Sequence, residues 1–65
     1  MFLKPLELSR LLNLAPSTIS MALRRGQLNK TRDGIDTDDW KNAMWIRAHA
    51  PDVQTILKIF GKKTE

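Results

Sequence analysis

The sequence predicts a small, mainly α-helical domain, and three features support this class. The chain has 65 residues, enough for one domain with a small core. Apolar residues recur at helical spacing in several short segments. Three prolines and three glycines separate these segments, at positions where helices begin, end or turn. We therefore expect residues 1–65 to form a single domain.

Residues 5–25 contain two helical segments separated by a short break. The first is predicted over about 5–12, where Leu8 and Leu12 lie four residues apart on one face. Asn13 tolerates the left-handed backbone conformation that ends a helix. The second is predicted over 16–25, since Pro16 suits a first helical position. Two short helices joined by a tight turn, the second one polar and basic outward, are typical of a helix-turn-helix.

Residues 27–36, QLNKTRDGID, are predicted to form a β-hairpin that acts as a wing. Its turn is the dipeptide Asp33-Gly34, the strongest short turn signal in the chain. We expect the arms to alternate, with Leu28 and Ile35 facing inward and Lys30 and Arg32 outward near the tip.

Residues 38–60 are predicted to form two C-terminal helices. Thr37 fits the N-cap of the first, and Pro51 ends it near His49. Its apolar positions fall on one arc, which we expect to face the core and to bury Trp40: Trp40, Ala43, Met44 and Ala48. Trp45 and Ile46 lie outside that arc and fit either the core or a dimer surface.

The last helix is predicted over about 52–60, with Asp52 as its cap and Gly61 as its stop. Its apolar residues form one stripe: Val53, Ile56, Leu57 and Phe60. That stripe fits either the core or contact with a second subunit. Residues 62–65 are predicted to be a polar, frayed tail.

The formal charge of +4 is concentrated in the first half of the chain. Residues 1–35 hold six Lys or Arg against two acids, which gives +4, and residues 36–65 hold five against five, which gives zero. The helix-turn-helix half is therefore where a surface for phosphate groups is expected.

Residues 6–39 resemble winged helix-turn-helix modules of the MerR and excisionase type, as in small phage DNA-binding proteins and small terminase subunits. The resemblance rests on LSRLLNLAPSTISMALRRGQL, followed by DGID and a helix. It implies that the turn residue is Asn13 and that six positions are buried: Leu8, Ser9, Leu12, Leu14, Ile19 and Ala22. The cap before the second helix is usually Ser or Thr in this family, whereas here it is Ala15.

The resemblance implies DNA-facing positions on the second helix, to which the basic residues nearby are added. The predicted DNA-binding residues are Pro16, Ser17, Thr18, Ser20, Met21, Arg24, Arg25, Lys30 and Arg32. Bidentate base pairing needs a forked side chain, which only Arg24 and Arg25 supply on this helix. We therefore expect much of the affinity to come from phosphates, with specificity from the wing, DNA shape and oligomerisation.

Simpler interpretations of these residues stay open. Ser17, Thr18 and Ser20 on the second helix also fit solvent-exposed positions that have no binding role. Arg24 and Arg25 fit a role that complements the helix dipole, and Lys30 and Arg32 fit ordinary hairpin charges. His49 fits a helix-end residue, because no nucleophile or metal partner accompanies it at a suitable spacing.

The composition argues against several function classes. The chain has no Cys, a single His and no Gly-rich phosphate loop, so we expect no enzyme, no cofactor and no metal site. No segment fits a signal peptide or a membrane span, so a cytoplasmic, nucleoid-associated protein is expected.

Binding of double-stranded DNA is the expected function, in a phage- or plasmid-type transcriptional regulator or an excisionase-like factor. A homo-oligomer that forms through the C-terminal helices is the expected assembly. The alternatives are the DNA-recognition domain of a phage packaging subunit and a protein-interaction adaptor that binds no DNA.

Overall fold

The computed structural model describes residues 1–61 and confirms the mainly helical class. Its elements, in chain order, are β1 (Phe2–Leu3), α1 (Pro5–Leu12), α2 (Pro16–Arg24), β2 (Ile35–Asp36), α3 (Trp40–His49) and α4 (Val53–Phe60). The predicted polar tail, residues 62–65, lies outside the described residues.

The two helices of the helix-turn-helix begin and end where the sequence predicts, within one residue. Asn13 has the expected left-handed backbone, with φ 58°. Pro16 opens α2, and Ala15 before it makes no side-chain cap bond. The short turn and the Pro start are local signals, which explains why they were readable from sequence.

The core is formed by aliphatic side chains from all six elements and from the loop after α2: Leu3, Leu8, Leu12, Ile19, Ala22, Leu28, Ile35, Ile46 and Ile59. Ser9 is also buried, and its hydroxyl donates to the Leu6 carbonyl at 2.7 Å. Leu14 is half-buried against this core. The predicted inward positions of α1, α2 and the following loop are thus confirmed.

The strand pairing differs from the one expected inside residues 27–36. The turn itself forms, because Thr31 and Gly34 exchange backbone hydrogen bonds of 2.8 and 3.0 Å. Beyond the turn, Ile35 pairs antiparallel with Leu3 of β1. The N-terminal segment supplies the second strand because Leu3 is apolar and enters the core beside Ile35.

The predicted N-cap Thr37 is wrong, because α3 begins later. Asp39 is the cap, and its carboxylate accepts from Lys41 N at 2.9 Å and Asn42 N at 3.3 Å. Thr37 is buried instead, and its hydroxyl donates to the Met1 carbonyl at 3.1 Å. The side chain expected to cap the helix is therefore bound by Met1, directly before β1.

The predicted core arc of α3 is also wrong. Trp40 is 73% exposed and Met44 is 59% exposed, whereas Asn42 and Ile46 are buried. The face that packs inward is set by Asn42, whose amide bonds to loop backbone, and by Ile46 one turn later. Ile46 is thereby a core residue, and Trp45 is half-buried against the core.

The buried residues of α4, Thr55 and Ile59, lie outside the predicted apolar stripe. Within that stripe Val53 is 67% exposed and Leu57 51% exposed. Ile56 and Phe60 are half-buried.

The predicted ends of α4 are confirmed. The Asp52 carboxylate accepts from Thr55 N at 2.9 Å and from its hydroxyl at 3.0 Å, and Gly61 N donates to the Leu57 carbonyl. The backbone hydrogen bond from Thr55, followed by the one from its hydroxyl, holds the pKa of Asp52 below its ordinary value.

Candidate nucleic-acid interface

The outward surface of α2 carries most of the predicted site residues. Along this surface they form two rows spaced four residues apart. One row is Pro16, Ser20 and Arg24, and the other is Ser17, Met21 and Arg25. All six are exposed, Thr18 at the edge is half-buried, and the opposite side of the helix packs into the core. We call these six residues the α2 face.

The end of α2 places its two arginines where they favour the helix. Arg24 is the last helical residue and Arg25 is its C-cap, next to the negative end of the helix dipole. Gly26 follows with φ 77°, and Gln27 N donates to the Ala22 carbonyl at 2.8 Å. The dipole interpretation and an anion-binding interpretation are compatible, because both leave the guanidinium groups in solvent.

The basic side chains near α2 have no acidic partner within residues 1–61. The ion pair found in that part of the chain joins the Met1 amino group to Asp38 at 3.4 Å. The carboxylates of Asp39 and Asp52 are held at helix starts. The charges of Arg24, Arg25, Lys30 and Arg32 are therefore not neutralised by a carboxylate of the described chain.

Lys30 and Arg32 lie exposed on the loop between α2 and β2. This loop is fastened at both ends to α3 by a single side chain, Asn42. Its Oδ1 accepts from Asn29 N at 2.7 Å, and its Nδ2 donates to the carbonyls of Asn29 and Asp36 at 3.0 Å each. The loop that carries the two basic residues is thus held by α3.

The structural role of Asn42 was not predicted from the sequence. Its position four residues before Ile46 puts both residues on one side of α3, which would have indicated a buried position. A polar residue that shares a helix face with a core aliphatic residue needs a buried partner. The partners here are backbone groups distant in sequence, so they could not be identified from spacing.

A groove lies between α2 and the C-terminal end of α3, and we call it the α2–α3 groove. It has a volume of about 330 Å³. The second row of the α2 face, Ser17, Met21 and Arg25, borders it on one side, and Trp45 and His49 border it on the other. Thr18 also lines the groove, so the structure brings four predicted site residues together with two α3 residues that were not predicted to bind DNA.

The aromatic rings of Trp45 and His49 stack in this groove. Their centroids are 3.9 Å apart and their planes differ by 19°. His49 Nδ1 lies 2.8 Å from the Trp45 carbonyl oxygen, one turn earlier on α3. His49 is the last residue of the helix, as expected, but it also faces α2 across the groove.

A second cavity of about 390 Å³ lies between α3 and α4 and contains no predicted site residue. Asp38 and Arg47 contribute charges of opposite sign to its lining, beside Leu57 and Phe60. The Arg47 guanidinium carbon lies 4.6 Å from the centre of the Phe60 ring. Its mixed charge makes this cavity a weaker candidate for an anionic ligand than the α2–α3 groove.

Residues 1–61 contain no group of three or more His, Cys, Asp or Glu side chains arranged to hold a metal ion. None of the helices in this range has the length and apolar character needed to cross a membrane.

Comparison with protein-family models, curated proteins and solved structures gives no match for this chain.

Proposed function

We propose that the chain binds double-stranded DNA through the α2 face. The observation that carries this proposal is an exposed helix face with two arginines at its end and no carboxylate partner in residues 1–61. The major groove of B-DNA admits an α-helix, and a helix that follows a tight turn is the element that enters it in helix-turn-helix proteins.

In this proposal each residue of the α2 face, together with Thr18 at its edge, has a limited chemical role. Arg24 and Arg25 donate to phosphate oxygens or to guanine O6 and N7. Ser17 and Ser20 each make a single hydrogen bond, and Pro16, Thr18 and Met21 contact sugar or a thymine methyl. Only the two arginines can pair with a base through two hydrogen bonds, so few bases are read directly. Most of the affinity therefore comes from contacts with the sugar-phosphate backbone of the DNA.

The loop after α2 adds charge to this surface. Both Lys30 and Arg32 are exposed; Lys30 directly precedes the Thr31–Gly34 turn and Arg32 lies within it. We propose that both neutralise phosphates beside the groove that α2 occupies. Their contribution depends on salt and not on base sequence.

Self-association through the C-terminal helices is part of the proposal. Trp40 and Met44 on α3, and Val53 and Leu57 on α4, are large apolar side chains that remain more than half exposed. We propose that these four side chains form one apolar patch, because contiguous exposed apolar surface is typical of an interaction site. A dimer would present two copies of α2 to half-sites about one DNA turn apart. Two copies together would contact more bases than one copy, which offsets the small number of direct base contacts that each can make.

The process best supported is regulation by a small phage- or plasmid-type transcription factor or an excisionase-like architectural factor. Such a protein is a binding protein and not an enzyme, and it acts at the nucleoid in the cytoplasm. The DNA-recognition domain of a packaging subunit would use the same α2 face. A protein-interaction adaptor that binds no DNA is favoured by one observation, the four exposed apolar residues of α3 and α4.

Charge reversal on the α2 face tests the proposal. The double variant R24E/R25E and the control K41E/K58E each remove four units from the formal charge of +4, which leaves zero. The control residues are exposed on α3 and α4 and do not border the α2–α3 groove. Circular dichroism shows whether each variant keeps the helical content of the wild type.

We expect R24E/R25E to weaken binding of random duplex DNA by about tenfold or more, since one lost arginine contact costs about 1–3 kcal/mol. The control should lose far less, because its charges act only through the long-range field. Equal losses in both variants would show that net charge alone attracts DNA. That result would contradict the role of the α2 face.

A further inference from the structure

We propose that the α2–α3 groove holds a phosphate group of the DNA backbone, with His49 as a donor that acts only when protonated. This inference rests on the proposed function, because its ligand is the backbone of the DNA that α2 contacts. It adds α3 residues to an interface that the helix-turn-helix pattern alone does not include.

The chemistry of the groove suits an anion. Its polar lining consists of groups that can donate hydrogen bonds, from Ser17, Thr18, Arg25, Gln27 and His49. None of its lining residues is acidic, in contrast to the α3–α4 cavity, which includes Asp38. A site that has a fixed guanidinium charge and no carboxylate attracts phosphate.

The position of the groove also suits the DNA backbone. An α-helix with its side chains is about 10–12 Å across, and the major groove is about 12 Å wide. A helix inserted there therefore has a sugar-phosphate strand on each side. The row Ser17, Met21 and Arg25 marks one side of α2, and the α2–α3 groove runs along that row.

The hydrogen bond of His49 determines which ring nitrogen is available. A carbonyl oxygen only accepts, so the contact with the Trp45 carbonyl at 2.8 Å requires a proton on Nδ1. The neutral ring then has no hydrogen on Nε2, which can accept but cannot donate to a phosphate oxygen. Protonation at Nε2 gives the ring a positive charge and a second donor, so phosphate binding is coupled to proton uptake.

The surroundings of His49 come from α2 and from its own helix. Arg25, at the end of α2, is the one charged side chain that lines the groove with it among residues 1–61. The carbonyl end of α3 and the stacked indole of Trp45 lie beside the ring. A bound phosphate adds the negative charge with which a protonated ring pairs. Trp45 is a positioning residue, because it fixes the plane of the imidazole.

Duplex affinity at two pH values tests the proposal. Histidine changes charge between about pH 5 and 8, so fluorescence anisotropy with a labelled random duplex is measured at about pH 6 and pH 8. The proteins compared are the wild type, His49→Gln, His49→Lys and the control Arg47→Gln. Arg47 is on the same helix but lines the α3–α4 cavity, so it changes a charge without touching the α2–α3 groove.

We expect the wild type and the control to bind about tenfold more tightly at the lower pH, which is the lower end of the range for one hydrogen bond to a charged group. His49→Gln should lose that dependence and should bind at both values as the wild type does at the higher one. His49→Lys keeps a charge at both pH values and should restore tight binding without the pH dependence. At the lower pH, His49→Gln should also lose one phosphate contact, about 0.9 in the slope of log affinity against log salt.

Trp45 gives a second, local readout. In a Trp40→Phe background, which keeps a large apolar ring on the proposed self-association surface, Trp45 is the sole tryptophan. We expect duplex DNA to change the fluorescence of Trp45. A response to inorganic phosphate without any response to duplex would overturn the assignment to the DNA backbone and leave a site for a free anion.

The outcomes separate this inference from the proposed function. Wild-type protein that binds no duplex at either pH would overturn both. Duplex binding that is weakened by R24E/R25E but keeps its full affinity, pH dependence and salt slope in His49→Gln would overturn the groove assignment alone.

Discussion

Asn42 holds both backbone polar groups of Asn29, accepting from its N–H at 2.7 Å and donating to its carbonyl at 3.0 Å. The same side chain also donates to the Asp36 carbonyl at 3.0 Å. One buried amide on α3 therefore fastens the start and the end of the loop that carries Lys30 and Arg32. Contacts with α3 and β1 set the position of residues 27–36, the predicted wing. Within this segment the two sides pair with each other only at the Thr31–Gly34 bridge.

Replacing Asn42 with Leu should destabilise the fold by about 2 kcal/mol or more. A buried group left without its partner costs about 1–3 kcal/mol. This change leaves the N–H and the carbonyl of Asn29 without one, while the Asp36 carbonyl keeps its hydrogen bond from Asp39 N. Urea unfolding followed by circular dichroism measures the loss. The matched change Lys41→Leu, at the exposed neighbouring position, should stay within about 0.5 kcal/mol of the wild type. Equal stability of the two variants would contradict the anchoring role of Asn42.

Gly34 is required by the approach of β1. Its φ is 126°, and a Cβ atom at this position would lie 2.8 Å from the Leu3 carbonyl oxygen. Gly34→Ala should therefore cost more than the roughly 1–3 kcal/mol of backbone strain alone, because β1 must also move.

Gly26→Ala is the control for Gly34→Ala. Gly26 also has a positive φ, 77°, but nothing lies within 4 Å of the added Cβ. It should show the backbone strain without the clash. Thermal unfolding of both variants compares the two costs, and a Gly26→Ala variant that is as unstable as Gly34→Ala would contradict the close contact with Leu3.

The cap of α4 should make stability depend on pH in the acid range. Hydrogen bonds from Thr55 lower the pKa of Asp52 from its ordinary value of 3.8. Because the folded pKa is the lower one, the cap contributes its full stability above the unfolded pKa. That contribution is lost as the pH falls through the folded pKa.

Asp52→Ala tests this dependence. The variant should melt at a lower temperature than the wild type near neutral pH, and the difference should shrink as the pH falls below about 4. Asp52→Asn keeps a capping oxygen without the charge and should lie between them. A difference in melting temperature that stays constant down to the lowest pH would contradict the contribution of the ionised carboxylate.

Self-association should depend on the exposed apolar residues of the C-terminal helices. We expect the wild type to form dimers or larger species in sedimentation velocity experiments as its concentration rises. The variant Trp40→Ser with Leu57→Ser should remain monomeric with unchanged circular dichroism, because both side chains are more than half exposed. A wild type that is monomeric throughout, with one copy per DNA site, would contradict a homo-oligomer.

Local signals in the sequence were sufficient to predict α1, α2 and α4 and the ends of these helices. Asn13, Pro16, Asp52 and Gly61 act through their own backbone or through residues within a turn, so their roles follow from residue type and spacing. The α2 face follows in the same way, because helical periodicity alone separates it from the buried Ile19 and Ala22.

Contacts between distant segments were not predictable in this way. Trp40 was expected in the core because it began an apolar arc, but the loop contacts of Asn42 turn that arc to solvent. Thr37 resembled a cap, yet it binds Met1, 36 residues away. The α2–α3 groove depends on how α3 crosses α2, so its Trp45 and His49 lining was not visible from spacing. DNA binding itself remains a prediction from the α2 face.

The most direct test of the central claim is the salt dependence of wild-type binding to random duplex DNA, followed by fluorescence anisotropy. Each neutralised phosphate adds about −0.9 to the slope of log affinity against log salt. Contacts from Arg24, Arg25, Lys30 and Arg32 together predict a slope of about −3 or steeper. Absence of binding at low salt, or a slope near zero, would contradict a DNA-binding α2 face and favour a protein partner for the exposed surface of α3 and α4.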